Sequence, residues 1–292
     1  MKPRKIQGQA VVITGAASGI GEALALQFAR QRARLLIADI DAIGLSRVAK
    51  AVQALGAECH TLVVDTGSEA AVGGLATESL ARLGAADIVI NNAGVGLMAP
   101  VNKLSSDDAH WLMNINFWGV VHGCRYFLDQ MKGRPDPVLV NISSIFAMVS
   151  IPTQSIYNAS KAAVRGFSDA LREELRGDGI DVLCVHPGGI RTNIANSARI
   201  TDVSMVADSD QQMREAFTRM ARTTPEQAAL VIVGAITARK NRVLIGADAK
   251  LMDLVFRLFP SKASQWFTQL GNNLRLRARA QESADAATNN TL

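Results

Sequence analysis

Cysteine and histidine are scarce in this chain, and long hydrophobic runs are missing. The three cysteines, Cys59, Cys124 and Cys184, form no C-x-x-C pair, so neither a disulfide framework nor a thiolate zinc site is indicated. Cys184 lies in an apolar run and reads as buried filler. The four histidines, His60, His110, His122 and His186, lack the i, i+4 spacing of a helical metal site, so no metal ligand set is expected. No apolar stretch reaches the ~18 residues that a membrane span requires. Residues 1–9 are basic and polar with no apolar segment behind them, which does not read as a signal peptide. The expectation is a cytoplasmic protein. Internal repeats and low-complexity linkers are also lacking, and the polar, Ala-rich residues 281–292 are expected to be disordered.

What is present is apolar bulk. Of 292 residues 48% are hydrophobic and 20% charged, enough to bury a sizeable core and unlike a disordered chain. The net charge of +5 comes from scattered Lys and Arg, with Arg275, Arg277 and Arg279 the nearest thing to a cluster. No nucleic-acid partner is expected.

Strand-length apolar runs alternate with helix-period segments. Strands are predicted at Ala10–Thr14, Arg34–Asp39, Cys59–Val64, Asp87–Asn91, Val138–Ile142, Ile180–His186 and Arg242–Ile245. Helices are predicted at Ile20–Gln31, Ala42–Leu55, Ser68–Leu83, Ser106–Met131 and Ile156–Arg176. The strands are near-continuous Val, Ile and Leu runs, as in strands buried on both faces. Such alternation predicts an α/β fold with a doubly wound parallel sheet of the Rossmann type, and ligands at the carboxyl ends of its strands.

The first predicted strand runs into Thr14-Gly15-Ala16-Ala17-Ser18-Gly19-Ile20-Gly21. Glycines at a strand-to-helix turn let the backbone approach a pyrophosphate, and the helix N-terminus offers free N–H groups to it. The spacing is G-x-x-x-G-x-G rather than G-x-G-x-x-G, and the lysine of a triphosphate loop is absent. Asp39 closes the second strand, 18 residues after Gly21, where an acidic side chain meets the adenosine ribose. A carboxylate there repels a 2′-phosphate, so NAD is favoured over NADP. Ser18 and Ile40 bring no positive charge to offset it.

Tyr157 and Lys161 are four apart and share a face if helical. A phenol titrating near ~10 is a poor base at neutral pH, and a nearby ammonium favours the phenolate. Lys161 is expected to do this while bonding the nicotinamide ribose. Ser144 lies 13 residues before Tyr157, just past the fifth strand. Asn91-Asn92-Ala93-Gly94 ends the fourth strand, Asn116 sits in the long helix between, and Pro187-Gly188-Gly189-Ile190-Arg191-Thr192 ends the sixth. All fall at one edge of the predicted sheet.

Together these motifs closely resemble the short-chain dehydrogenase/reductase family of NAD(P)-dependent oxidoreductases, over roughly Gln7 to Ile245. The resemblance implies a catalytic tetrad of Asn116, Ser144, Tyr157 and Lys161. It implies cofactor contacts at Gly15, Ser18, Gly19, Ile20, Gly21 and Asp39, with Asp65 and Thr66 near the adenine. Asn92, Ala93 and Gly94 are implied at the adenosine ribose, and Pro187, Gly188, Ile190 and Thr192 at the nicotinamide. The implied reaction passes a hydride between NAD(H) and a secondary alcohol or ketone, Tyr157 acting as acid/base, Ser144 holding the substrate oxygen and Asn116 binding a water that links Lys161 to solvent. Ser143 adjoins Ser144, but the offset to Tyr157 selects Ser144, and Ser143 reads as a structural turn hydroxyl.

One domain, 1–246, is expected to hold cofactor and chemistry, with residues 193–224 as a substrate lid. The lid carries Ile194, Ile200, Val203, Met205, Val206, Met213, Phe217 and Met220, which point either to a lipophilic substrate or simply to packing of the lid. Residues 247–280 form a helical extension that the family does not explain. Its apolar residues are expected to pack against protein, covering the cleft or a subunit face, in preference to lying as a basic amphipathic segment on a membrane. The resemblance implies a homodimer or homotetramer through 106–131 and 156–176. Two other classes were weighed: a nucleotide-sensing module does not need Ser144, and a serine hydrolase lacks its G-x-S-x-G elbow here.

Overall fold

A computed structural model describes residues 2–204, 206–207, 209–271 and 273, excluding the side chains of 216, 217 and 220. The chain opens β1 (Ala10–Thr14), α1 (Gly19–Arg30), β2 (Arg34–Asp39), α2 (Ala42–Ala54), β3 (Cys59–Val63), α3 (Glu69–Leu83) and β4 (Ile88–Asn91). After the short β5 (Leu97–Met98) come α4 (Ser106–Met113), a π-helical turn (Asn114–Trp118) and α5 (Gly119–Met131). Then follow β6 (Val138–Ile142), α6 (Ser155–Glu174), β7 (Asp181–Pro187), β8 (Arg199–Ile200), α7 (Asp210–Met220), α8 (Pro225–Thr237), β9 (Arg242–Ile245) and α9 (Ala247–Leu258).

Seven strands form one parallel sheet in the order β3-β2-β1-β4-β6-β7-β9, the expected Rossmann-type architecture. The order reverses between β1 and β4, which opens a crevice at their carboxyl ends. Side-chain alternation divides the core between two faces. Val11, Ile13, Leu35 and Ile37 meet Leu24 and Phe28 of α1 and Ile232 of α8 on one face. Val12, Leu36 and Ala38 meet Leu75 of α3, Phe127 of α5 and Val164 of α6 on the other. β3 departs from the fully buried pattern: as an edge strand it leaves Thr61 and Val63 exposed. The N-terminal segment is tied down by buried Arg4, whose guanidinium donates to Asp181 at 2.6 Å and to the Ile236 carbonyl at 2.7 Å.

The single long helix expected over 106–131 is interrupted by the π turn, which widens one turn around Asn116. A second, two-stranded parallel sheet pairs β5 with β8, stitching the segment after β4 to the lid. The extension is two-faced. Ala249, Met252 and Phe256 of α9 pack on Ile145 and Met148, while Leu251, Leu254, Leu258 and Phe259 stay exposed. Residues 263–271 are helical; Ala263 is buried, and the Trp266 ring meets that of Phe259 at a tilt of 56°, 5.0 Å between centres. Residues 281–292 lie outside the described residues.

Candidate active site

A cleft of about 460 Å3 opens at the carboxyl ends of β1, β4, β6 and β7. Every site residue singled out in the sequence lines it except Gly21 and Asn116, which stand directly behind its wall. At one end, the turn after β1 is held open by its neighbours. Gly15 and Gly19 have φ of +65° and +57°. A Cβ on Gly15 would lie 2.7 Å from the Ala93 Cα, and one on Gly21 would strike the Gly15 carbonyl. Asn92 fastens this turn to the end of β4: its amide donates to the carbonyls of Thr14 and Gly15, both at 2.9 Å. Ser18, the N-cap of α1, makes no side-chain cap bond, so the first-turn amides are left for a ligand. Asp39 accepts from Ala17 N (2.9 Å) and Asp41 N (3.0 Å), which fixes its carboxylate at the rim. Asp65 is held likewise by Gly67 N at 2.8 Å, and Thr66 is buried beside it.

The Tyr157 end is built from β6 and α6. Ser144 follows β6, and its Oγ accepts from Phe146 N at 3.1 Å. Ser143 Oγ, buried, donates to the Lys161 carbonyl at 2.8 Å; it fastens α6 to β6 and is not available to a substrate. The Lys161 ammonium donates to the Ile142 carbonyl at 3.1 Å and lies 5.9 Å from the Tyr157 ring centre. Burial pushes Lys161 down to about 8. Burial also pushes the Tyr157 phenol up, opposed by its hydrogen bond with Ser144. In this arrangement desolvation outweighs the other influences on the phenol, and the Lys161 ammonium donates to the backbone 5.9 Å from the ring centre. The Asn116 side chain is fully engaged. Its Oδ1 accepts from Val95 N (2.8 Å), and its Nδ2 donates to Val95 O (3.0 Å) and Ser160 Oγ (3.3 Å). The side chain is thus occupied in holding the Val95 loop. Gly94 makes the approach possible, since a Cβ there would sit 3.2 Å from Asn116 Oδ1 and 3.3 Å from Lys161 Nζ.

A glycine-containing turn, a fixed carboxylate and a Ser–Tyr–Lys group thus share one cleft, and comparison with known proteins gives the family. A family model of short chain dehydrogenases matches residues 9–203. The chain belongs to the short-chain dehydrogenase family. SadH of Mycobacterium tuberculosis, named as an oxidoreductase, is 40% identical over 258 residues, 87% of this chain and 92% of SadH. A short chain dehydrogenase/reductase from Burkholderia phymatum, solved with NAD, superposes with a TM-score of 0.78 at 29% identity, covering 87% of this chain and 96% of that one. A metagenomic short-chain oxidoreductase solved with NADP superposes with a TM-score of 0.69 at 26% identity, covering 83% and 98%. This short-chain dehydrogenase is accordingly an oxidoreductase with a nucleotide-binding Rossmann fold.

Several residues that brace the cleft of this short-chain dehydrogenase from behind its lining carry no signal in the sequence. Arg47 of α2 bonds Glu22 and donates to the Ala17 carbonyl at 2.9 Å, a cation close to the ribose end. Its eight-residue distance from Asp39 carried no signal. Asp248, in the first turn of α9, accepts from Gly189 N at 2.6 Å and occupies the space a Cβ on Gly188 would need. His186 of β7 is fully buried behind Ser144; its Nδ1 lies 3.2 Å from the Ser144 carbonyl, and burial pushes it down to about 4. The lid is less of a lipophilic lining than its composition implied. Ile194 borders the cleft, but Ile200, Val203, Val206 and Met213 pack with Met98 and Ala207 in a small core of their own. The side chains of Met205, Phe217 and Met220 lie outside the described residues.

Proposed function

We propose that the protein transfers a hydride between NAD(H) and a secondary alcohol or ketone, with Tyr157 as general acid/base. The observation that carries this reading is the grouping of Tyr157, Ser144 and Lys161 in the same cleft as the glycine turn and Asp39. The residues fit a dinucleotide: side-chain-free turn, uncapped α1 amides and a fixed carboxylate for ribose hydroxyls. When bound, NADH supplies the hydride for reduction and NAD accepts it in oxidation.

In reduction, the substrate carbonyl carbon gains the hydride and Tyr157 gives its proton to the oxygen. In oxidation, Tyr157 as phenolate takes the hydroxyl proton while the carbinol C–H leaves as hydride. Ser144 Oγ orients the substrate oxygen by a hydrogen bond. Burial raises the Tyr157 phenol, so at neutral pH it carries the proton that the acid role gives up. Oxidation needs added positive charge near the phenol, and the Lys161 ammonium is placed to supply part of it. Asp39 favours NAD, since its carboxylate repels a 2′-phosphate, while Arg47 is neutralised by Glu22.

Residues 1–246 form the cofactor and catalytic unit in this reading, and 193–224 its lid. Exposed Trp118, at the end of the π turn, and Tyr126 on α5 support assembly as a homodimer or homotetramer through the α5 and α6 side. Among the described residues, no helix is long and apolar enough to cross a membrane.

The test is Tyr157→Phe. Turnover of a ketone with NADH drops on the order of 10²–10⁴-fold, while NADH affinity stays within a few-fold. Full turnover by the variant rejects the mechanism.

A further inference from the structure

The substrate end of the cleft holds a polar side chain to which the reaction gives no task. Gln154 borders the cleft and is only 6% exposed. Its carboxamide has no hydrogen-bond partner among the described residues and is not one of the solvent-sealed polar groups, so its polar end is turned to the cleft rather than to protein. It is the N-cap of α6 but does not cap the helix with its side chain. N-cap and third helical residue stand on the same side, as in a capping box, and here the third residue is Tyr157. The preceding Thr153 has φ +68°, a strained setting for a β-branched residue, and its carbonyl is pinned by Ala99 N at 2.8 Å. The backbone is therefore forced at the position that delivers Gln154. Leu97, Met98, Phe146 and Ile194 make the rest of this end apolar. Of the charged residues described along the cleft, Asp39 and Asp65 belong to the far end and Lys161 is bonded to backbone.

We propose that Gln154 reads a second oxygen on the substrate, so that the preferred substrates are neutral dioxygenated compounds, with a keto, ester or hydroxyl oxygen one or two carbons from the reacting carbon. The inference rests on the hydride-transfer reading above. A carboxamide offers both a donor and an acceptor, which suits a neutral carbonyl or hydroxyl. A substrate carboxylate finds no free cation at this end. A monofunctional ketone of the same size leaves the carboxamide buried and unmet, which penalises its binding.

The test compares matched ketones with NADH: ethyl acetoacetate against 2-hexanone, and 1,2-cyclohexanedione against cyclohexanone. The native protein is expected to favour the dioxygenated member by about 10–100-fold in kcat/KM. Gln154→Leu and Gln154→Ala are expected to erase that preference while keeping NADH affinity and monoketone turnover. Equal rates for both members in the native protein, or an undiminished preference in both variants, overturn the proposal. If the native protein reduces none of the four, the hydride-transfer reading fails and Gln154 is judged by binding instead. Ethyl acetoacetate is then titrated into the NADH-loaded protein by cofactor fluorescence. Weaker binding to both variants than to the native protein supports the Gln154 contact, and equal binding overturns it.

Discussion

Replacing Lys161 by Met separates the electrostatic burden of its buried ammonium from its chemical use. Lys161 is 3% exposed and titrates at about 8 in the fold, against an ordinary 10.5. At about 1.4 kcal/mol per tenfold in proton affinity, the folded state bears about 3 kcal/mol of penalty at neutral pH. The sign follows from proton counts. Between about 8 and 10.5 the unfolded chain holds this proton and the folded chain has lost it, so stability rises with pH through that window. From about pH 7 to about pH 9.5 the native protein should gain about 2 kcal/mol relative to Lys161→Met. The variant also leaves the Ile142 carbonyl unmet, which costs about 1–3 kcal/mol but does not vary with pH. Taking the difference between the two proteins cancels the alkaline titration of the other groups. The assay is urea unfolding of cofactor-free protein at several pH values. A difference that stays flat, or that moves against the native protein, refutes the argument. The same variant should have lost ketone reduction, so any gain in stability comes at the site's expense.

Three further outcomes are expected. Asp248→Ala removes the acceptor of Gly189 N, so the KM for NADH should rise about tenfold with little change in unfolding midpoint, and Asp248→Asn should fall between; an unchanged KM in the alanine variant would show that the extension does not brace the nicotinamide-side loop. Asp39→Ser should lower the NAD-to-NADP ratio of kcat/KM by about 10–100-fold, as loss of a few kcal/mol of carboxylate–phosphate repulsion requires; a constant ratio contradicts the ribose assignment. His186 titrates at about 4 in the fold against an ordinary 6.5, so the unfolded chain binds a proton that the folded chain refuses between those values. Native stability should therefore fall by about 2 kcal/mol more than that of His186→Asn between about pH 7 and about pH 4.5, measured by urea midpoints.

Much of the fold was legible because its signals are local. Val11–Ile13 and Leu35–Ile37 are apolar at consecutive positions, which only a strand covered on both faces requires. Gly15 and Gly19 announce a turn that side chains cannot follow, and Tyr157 and Lys161 share a face by helical spacing alone. The site's harder features were written in pairs distant along the chain. Asp248 meets Gly189 across 59 residues, Arg47 meets Ala17 across 30, and Asn116 meets Val95 across 21. The π turn at Asn116 has no compositional mark, and Gln154 looks like any loop glutamine until its burial is seen. The lid's apolar residues could not be divided by composition into those facing the cleft and those facing Met98, because that depends on the β5–β8 pairing.

For the residue on which the chemistry turns, sequence and structure decide different things. Periodicity and glycine spacing by themselves determined a parallel Rossmann sheet and a nucleotide-binding turn, since each is a property of a short segment, and the ordered motifs around Tyr157 and Lys161 singled those two residues out. Only tertiary structure decided the protonation those residues adopt. Desolvation depends on what covers a group, and what covers Tyr157 and Lys161 comes from other parts of the chain. Packing thus raised the phenol, lowered the ammonium and sent that ammonium to the Ile142 carbonyl. It also set the extension behind the site, because Asp248 reaches Gly189 N and α9 reaches Ile145 and Met148 only once β9 has joined β7.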